Sequence, residues 1–193
     1  MTAQLPAGVE AIVFDVDGTL LDTLPVHHQA WRETMIPYGI DMTDELFSRL
    51  AGMTSPAIVA FLSRETGQDL PAESISLAKD QAFVRHAPLI QPIRSVLDIA
   101  EAYQGVLPMG LATNEHFGVS NILLRTTGLS SLFQTLVTVD EVENPKPAPD
   151  LFLECARRLG VEPGKCHVFE DSRYGIEAAR AAGMSVTDVA TLR

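Results

Sequence analysis

Residues 14–23 read Phe-Asp-Val-Asp-Gly-Thr-Leu-Leu-Asp-Thr and place two carboxylates, Asp15 and Asp17, one residue apart. One acid can serve as a nucleophile and the other as a proton carrier. Like charges this close do not both stay ionised cheaply without a cation, so the pair asks for a metal. Three later segments carry polar residues that complement it. Thr113-Asn114 offers a hydroxyl and backbone N–H groups near a helix start, which suits phosphate oxygens. Asn144-Pro145-Lys146-Pro147 sets a lysine between two prolines, a fixed positive charge on a stiff backbone. Phe169-Glu170-Asp171-Ser172 adds two more acids directly after an apolar run. Asp15, Asp17, Glu170 and Asp171 together would repel strongly, and an oxygen-ligated divalent cation, most naturally Mg²⁺, relieves that repulsion.

These residues need strands that stop at one edge. Ala11-Ile12-Val13-Phe14 is short, continuous and partly β-branched, as a buried parallel strand should be, and predicts a strand over 11–15. If that strand persists past Asp15, Asp15 and Asp17 project from one face before Gly18 breaks it. Further strands are expected at 106–112, 135–139, 167–170 and 185–189, with Pro108 favouring a start at or after itself. Helices are expected between them at 92–103, 117–126, 149–159 and 173–182. This alternation argues an α/β fold: a doubly wound, mostly parallel, five-stranded Rossmann-like sheet. Residues 24–87 have a different texture, with four helical stretches at 25–36, 43–50, 55–65 and 71–86 and no convincing strand. Thr43 is a candidate N-cap there, and Pro25 and Pro71 mark helix starts. The expected division is a catalytic core of 1–22 and 88–193 with an all-helical cap of 23–87, hinged near 22–24 and 87–91.

Composition narrows the functional classes. The chain has 193 residues, 46% of them hydrophobic and 20% charged, enough for a core domain with a small insertion. A net charge of −11 with no basic run argues against a nucleic-acid partner. No apolar stretch is long enough for a membrane span, and Met-Thr-Ala-Gln-Leu-Pro lacks the pattern of a signal peptide. The two cysteines, Cys155 and Cys166, read as buried reduced thiols of a cytoplasmic protein. Nothing in the pattern calls for an obligate interface, so a monomer is expected.

The four segments, in this order and spacing, resemble the motifs of the haloacid dehalogenase superfamily, and the resemblance runs from about residue 15 to 171. The helical insertion is similar to the cap of its β-phosphoglucomutase-like branch. The Lys-Pro-Ala-Pro-Asp run at 146–150 and the Phe-Glu-Asp ending look most like small bacterial sugar-phosphate phosphatases of the fructose-1-phosphate type. The resemblance implies that Asp15 forms an aspartyl-phosphate. Asp17 serves as acid and then base, its carbonyl also on the metal. Thr113 and Asn114 hold the phosphoryl group, Lys146 balances charge, and Glu170 and Asp171 anchor Mg²⁺. From the cap, His27 and Lys79 correspond to substrate-side residues. One departure stands out: the mutase carries an arginine just after the cap glycine, whereas this chain reads Gly52-Met53-Thr54-Ser55, with Ser55 near that place. The expected activity is therefore Mg²⁺-dependent hydrolysis of a small phosphorylated metabolite such as a sugar phosphate. The alternatives are a phosphosugar mutase, an isomerase using the same intermediate, and a non-catalytic phosphometabolite-binding module.

Overall fold

Five strands form one sheet: β1 (Ala11–Phe14), β2 (Met109–Ala112), β3 (Thr135–Val137), β4 (Cys166–Glu170) and β5 (Ser185–Asp188). The computed structural model describes residues 5–192, so positions 1–4 of the amino-terminal stretch and Arg193 lie outside the described residues. Strand order is β3-β2-β1-β4-β5, and every neighbouring pair is parallel. The sheet is wholly parallel where a mostly parallel one was expected. Phe14 sits in register with Leu111 on one side and Phe169 on the other, which puts β1 at the centre.

Alternation along β1 feeds two cores. Ile12 and Phe14 point to one face, where they pack with Met109, Leu111 and Phe169 under α5 (Arg94–Tyr103) and α6 (Phe117–Thr127). Ala11 and Val13 point to the other, under α7 (Asp150–Leu159) and α8 (Arg173–Ala181). Both faces are covered, as an all-parallel sheet requires. Cys155 and Cys166 lie in the second core as free, buried thiols. β2 starts only after Pro108, which has no N–H for the ladder, while the Pro108 carbonyl still accepts from Ile12 at 3.0 Å.

Four helices leave the sheet directly after β1: α1 (Leu24–Met35), α2 (Asp44–Leu50), α3 (Ser55–Thr66) and α4 (Ala72–His86). Thr43 caps α2, its side chain accepting from the Leu46 N–H at 3.2 Å. Trp31, Met35, Leu50, Ile58 and Leu62 build a core of their own in this insertion. The roots of α1 and α4 behave differently, because Val26, Ala30, Ala82 and Phe83 join the core of the sheet. The chain enters and leaves the insertion side by side. Asp22 N–H donates to the Gln91 carbonyl and Ile93 N–H to the Leu20 carbonyl, each at 2.9 Å.

Candidate active site

From β1 the chain winds outward through β2 to β3, then returns to place β4 on the other side of β1. The sheet order therefore reverses between β1 and β4, the crevice where open α/β sheets bind ligands. Asp15 follows β1 there, and Glu170 ends β4 with Asp171 next to it. One carboxylate oxygen from each of Asp15, Glu170 and Asp171 lies within 4.8 Å of the other two.

Lys146 arrives from the loop before α7 and is 6% exposed. Its Nζ donates to Asp15 Oδ1 at 2.6 Å and to Glu170 Oε2 at 2.8 Å. Burial alone would lower the Lys146 pKa, but the attraction of Asp15 and Glu170 outweighs it, so the value is raised and the ammonium is retained. Burial, with repulsion from Glu170, raises Asp15 well above the usual carboxylate range and lifts Asp171 to about 7. Three acids facing one ammonium in a buried crevice make the environment a divalent cation fits. Both carboxylate oxygens of Glu170 accept hydrogen bonds, and Oε2, with a single donor, keeps a lone pair for a cation. Oε1 accepts from the Asp171 N–H, the Ser172 N–H and the Ser172 hydroxyl, and Oε2 from Lys146. Asp171 Oδ1 accepts from the Thr19 hydroxyl at 3.1 Å.

Two glycines make this packing possible. A Cβ at Gly175, in the first turn of α8, would lie 1.5 Å from Glu170 Oε2. At Gly18 a Cβ would lie 2.3 Å from Asp171 Oδ2, and the backbone there has φ +82°, which suits only glycine well.

Asp17 does not share the face of Asp15. β1 ends at Phe14, and the turn at Gly18 aims the Asp17 side chain at the cap. Its Oδ1 pairs with His27 Nε2 at 3.1 Å, and Oδ2 accepts from the Thr113 hydroxyl at 3.2 Å. Burial raises the Asp17 pKa, yet the His27 hydrogen bond and charge more than offset that and leave it lowered. His27 is stacked on Phe83 of α4, ring centroids 4.0 Å apart. The condition for a shared strand face, a strand persisting past Asp15, is not met: the dyad is split, one acid toward the sheet crevice and one toward α1.

Asn114 ties three parts together. Its Oδ1 accepts from the Lys146 N–H at 2.9 Å, and its Nδ2 donates to the Gly52 carbonyl of the cap at 3.0 Å. The helix expected over 117–126 is α6, which begins at Phe117, so Thr113-Asn114 precede it in the loop after β2. Lys79 is 2% exposed, with Nζ donating to Glu115 Oε2 at 3.0 Å and to Asp80 Oδ1 at 3.1 Å. Burial would lower the Lys79 pKa, but Glu115 and Asp80 raise it. Asp15, Asp17, Thr113, Asn114, Lys146 and Asp171 line one cavity of about 200 Å³, which His27 and Lys79 close from the cap side. Glu170 stands behind it, 1% exposed. Trp31 both lines this cavity and packs in the cap core. Glu115, Ser172 and Thr19 were missed in the sequence. Glu115 directly follows Thr113-Asn114, but its meaning depends on α4 lying opposite, which no local pattern reveals.

Fold and site together define an α/β protein with clustered carboxylates beneath a helical insertion. Residues 12–189 match the model of the haloacid dehalogenase-like hydrolases, and the chain belongs to that family. It is 38% identical over 183 residues to the fructose-1-phosphate phosphatase YqaB of Escherichia coli, covering 94% of this chain and 96% of that protein. It is 30% identical over 180 residues to a phosphorylated carbohydrates phosphatase of Thermotoga maritima, covering 91% and 82%. The crystal structure of CbbY from Rhodobacter sphaeroides in complex with phosphate superposes with a TM-score of 0.83 at 29% identity, over 92% of this chain and 84% of that one.

Proposed function

We propose that this protein is a Mg²⁺-dependent phosphatase that hydrolyses a small sugar phosphate through an aspartyl-phosphate on Asp15. The observation that carries the reading is the buried Lys146 ammonium bridging Asp15 and Glu170 at the reversal of the sheet, with Asp171 beside them. Asp15, Asp171, Glu170 and the Asp17 carbonyl would hold the metal. When bound, Mg²⁺ supplies positive charge against the phosphoryl oxygens and relieves repulsion among the acids.

The chain's own residues account for the rest. Lys146 keeps Asp15 in position and neutralises charge on the phosphoryl oxygens. An Asp15 carboxylate oxygen attacks phosphorus in line, and the bond to the leaving alkoxide breaks. The Asp17–His27 pair holds the proton between them and delivers it, through the Asp17 carboxyl, to the alkoxide. Thr113 and Asn114 hold the phosphoryl group during transfer. Water then attacks the phosphorus of the aspartyl-phosphate, Asp17 receives its proton, and Asp15 is released with inorganic phosphate. Residues 23–87 act as a cap on the core of 1–22 and 88–193, opening about the paired segments near 22–24 and 87–91 to exchange substrate. The two phosphatase relatives support a sugar phosphate as substrate. The buried free thiols support a cytoplasmic location.

Phosphate release from a panel of sugar phosphates, with Mg²⁺ and then with a chelator, tests this reading. Release that requires Mg²⁺ and is lost in Asp15→Asn is expected. Unchanged hydrolysis in that variant would remove Asp15 as nucleophile. The mutase alternative needs a grip on a second phosphate, and at the cavity wall stands Ser55 rather than arginine. Conversion of β-glucose 1-phosphate to glucose 6-phosphate without phosphate release would establish the mutase instead.

A further inference from the structure

The leaving group must fit between cap and core, and the charges of that space are already committed. Two lysines and two histidines line the cavity, and each has a carboxylate partner. Lys146 holds Asp15 and Glu170, Lys79 holds Glu115 and Asp80, His27 pairs with Asp17, and His116 pairs with Asp140. Among the described residues, no arginine lines it. The cap contributes apolar surface from Trp31, Leu50, Met53 and Ile58. From the core, Glu115 stands at the wall, 8% exposed and held from two sides. Its Oε2 accepts from Lys79, and its Oε1 accepts from the His116 N–H at 2.9 Å. A carboxylate is an acceptor with more lone pairs than these two bonds use. It suits hydroxyl donors and repels a second anion.

We propose that Glu115, locked in place by Lys79 of the cap, determines specificity: it accepts hydroxyl groups of a neutral, polyhydroxylated leaving group and turns away a leaving group that carries a second phosphate or a carboxylate. This inference rests on the phosphatase reading and narrows it. Lys79 is then a positioning residue whose ammonium offsets most of the cost of burying Glu115.

The test compares kcat/KM for matched esters in the presence of Mg²⁺: fructose 1-phosphate against fructose 1,6-bisphosphate, and glycerol 3-phosphate against 3-phosphoglycerate. The unmodified protein is expected to favour the neutral member of each pair by about tenfold or more. Glu115→Gln should narrow that ratio by about tenfold, mainly through a lower KM for the anionic member. Lys79→Met leaves the carboxylate uncompensated and should widen it. A merely structural role would slow both members alike and leave the ratio in place. Equal kcat/KM values in the unmodified protein would overturn the proposal, as would a ratio that moves the same way in both variants. If Glu115→Gln does not fold, the unmodified ratio and the Lys79→Met shift decide. Absence of phosphate release from every ester would sink the phosphatase reading itself, whereas release without discrimination would sink only the role of Glu115.

Discussion

At the scale of single residues, the site separates two acids that are near neighbours in sequence. Asp15 lies against Lys146, and Asp17 lies against His27 and Thr113. Their substitutions should therefore fail differently. Asp15→Asn removes the proposed nucleophile, so rapid-quench experiments should detect no phosphoenzyme and no phosphate release. Asp17→Asn removes a proton carrier and should slow both formation and breakdown of the phosphoenzyme by roughly 10²- to 10⁴-fold. A phosphoenzyme that forms at the normal rate in Asp17→Asn would contradict its role as the acid. Gly175 gives a second contrast. Glycine to alanine inside a helix ordinarily stabilises by roughly 0.5–1 kcal/mol. Here the added methyl would meet Glu170 Oε2 at 1.5 Å, so the sign should reverse. Gly175→Ala is expected to lower Tm and weaken Mg²⁺ activation, read by thermal melts and by phosphate release against Mg²⁺ concentration. The core acids and Lys146 were legible in the sequence because each follows or flanks an apolar strand or a proline pair. The unequal roles of the two acids followed from the family resemblance, but the backbone that splits them was not legible, because it depends on β1 ending at Phe14 and on the φ of +82° at Gly18.

At the scale of elements, the insertion is anchored by the two helices that lead into and out of it. Phe83 on α4 is fully buried in the core of the sheet and carries His27 of α1 on its ring. One side chain thus fixes the root of the cap and the partner of Asp17. Phe83→Ala should cost about 3–5 kcal/mol of stability, the usual range for emptying a buried aromatic site. It should also lower kcat for the remaining folded protein, because His27 loses the surface that orients it. Denaturant unfolding and phosphate-release kinetics on the same preparation check both halves. A stability loss with kcat unchanged would show that Phe83 only packs. Element positions were readable from period and punctuation: Thr43 does cap α2, and Pro108 does delay β2. The ties between elements were not readable. Asn114 reaching Gly52 and Lys79 reaching Glu115 join residues 62 and 36 positions apart. Neither pair has a periodic signature, and both exist only once α3 and α4 are folded over the sheet.

At the scale of the whole molecule, the acid-rich crevice and a buried histidine set opposing pH dependences. His167 lies on β4, 3% exposed, between the hydroxyls of Ser185 and Thr187 on β5 at 2.7 and 2.9 Å. Burial disfavours its charged form and lowers its pKa to about 4, against about 6.5 in an unfolded chain. Between those values the unfolded chain binds the proton and the native protein does not. Acidification therefore favours unfolding: the His167 contribution weakens as pH falls below about 6.5 and levels off below about 4. The raised carboxylates Asp15 and Asp171 act in the opposite sense, since the native protein holds their protons to higher pH than the unfolded chain does. The net profile of the unmodified protein mixes the two. Subtracting the profile of His167→Asn isolates the histidine, because the acids contribute equally to both proteins. The stability difference between the unmodified protein and His167→Asn, measured by urea unfolding from pH 4 to 8, should shift steadily against the histidine protein as pH drops and stay flat above about pH 7. A difference independent of pH across that range would mean that His167 titrates alike in both states, and that the strand pair β4–β5 admits its charge.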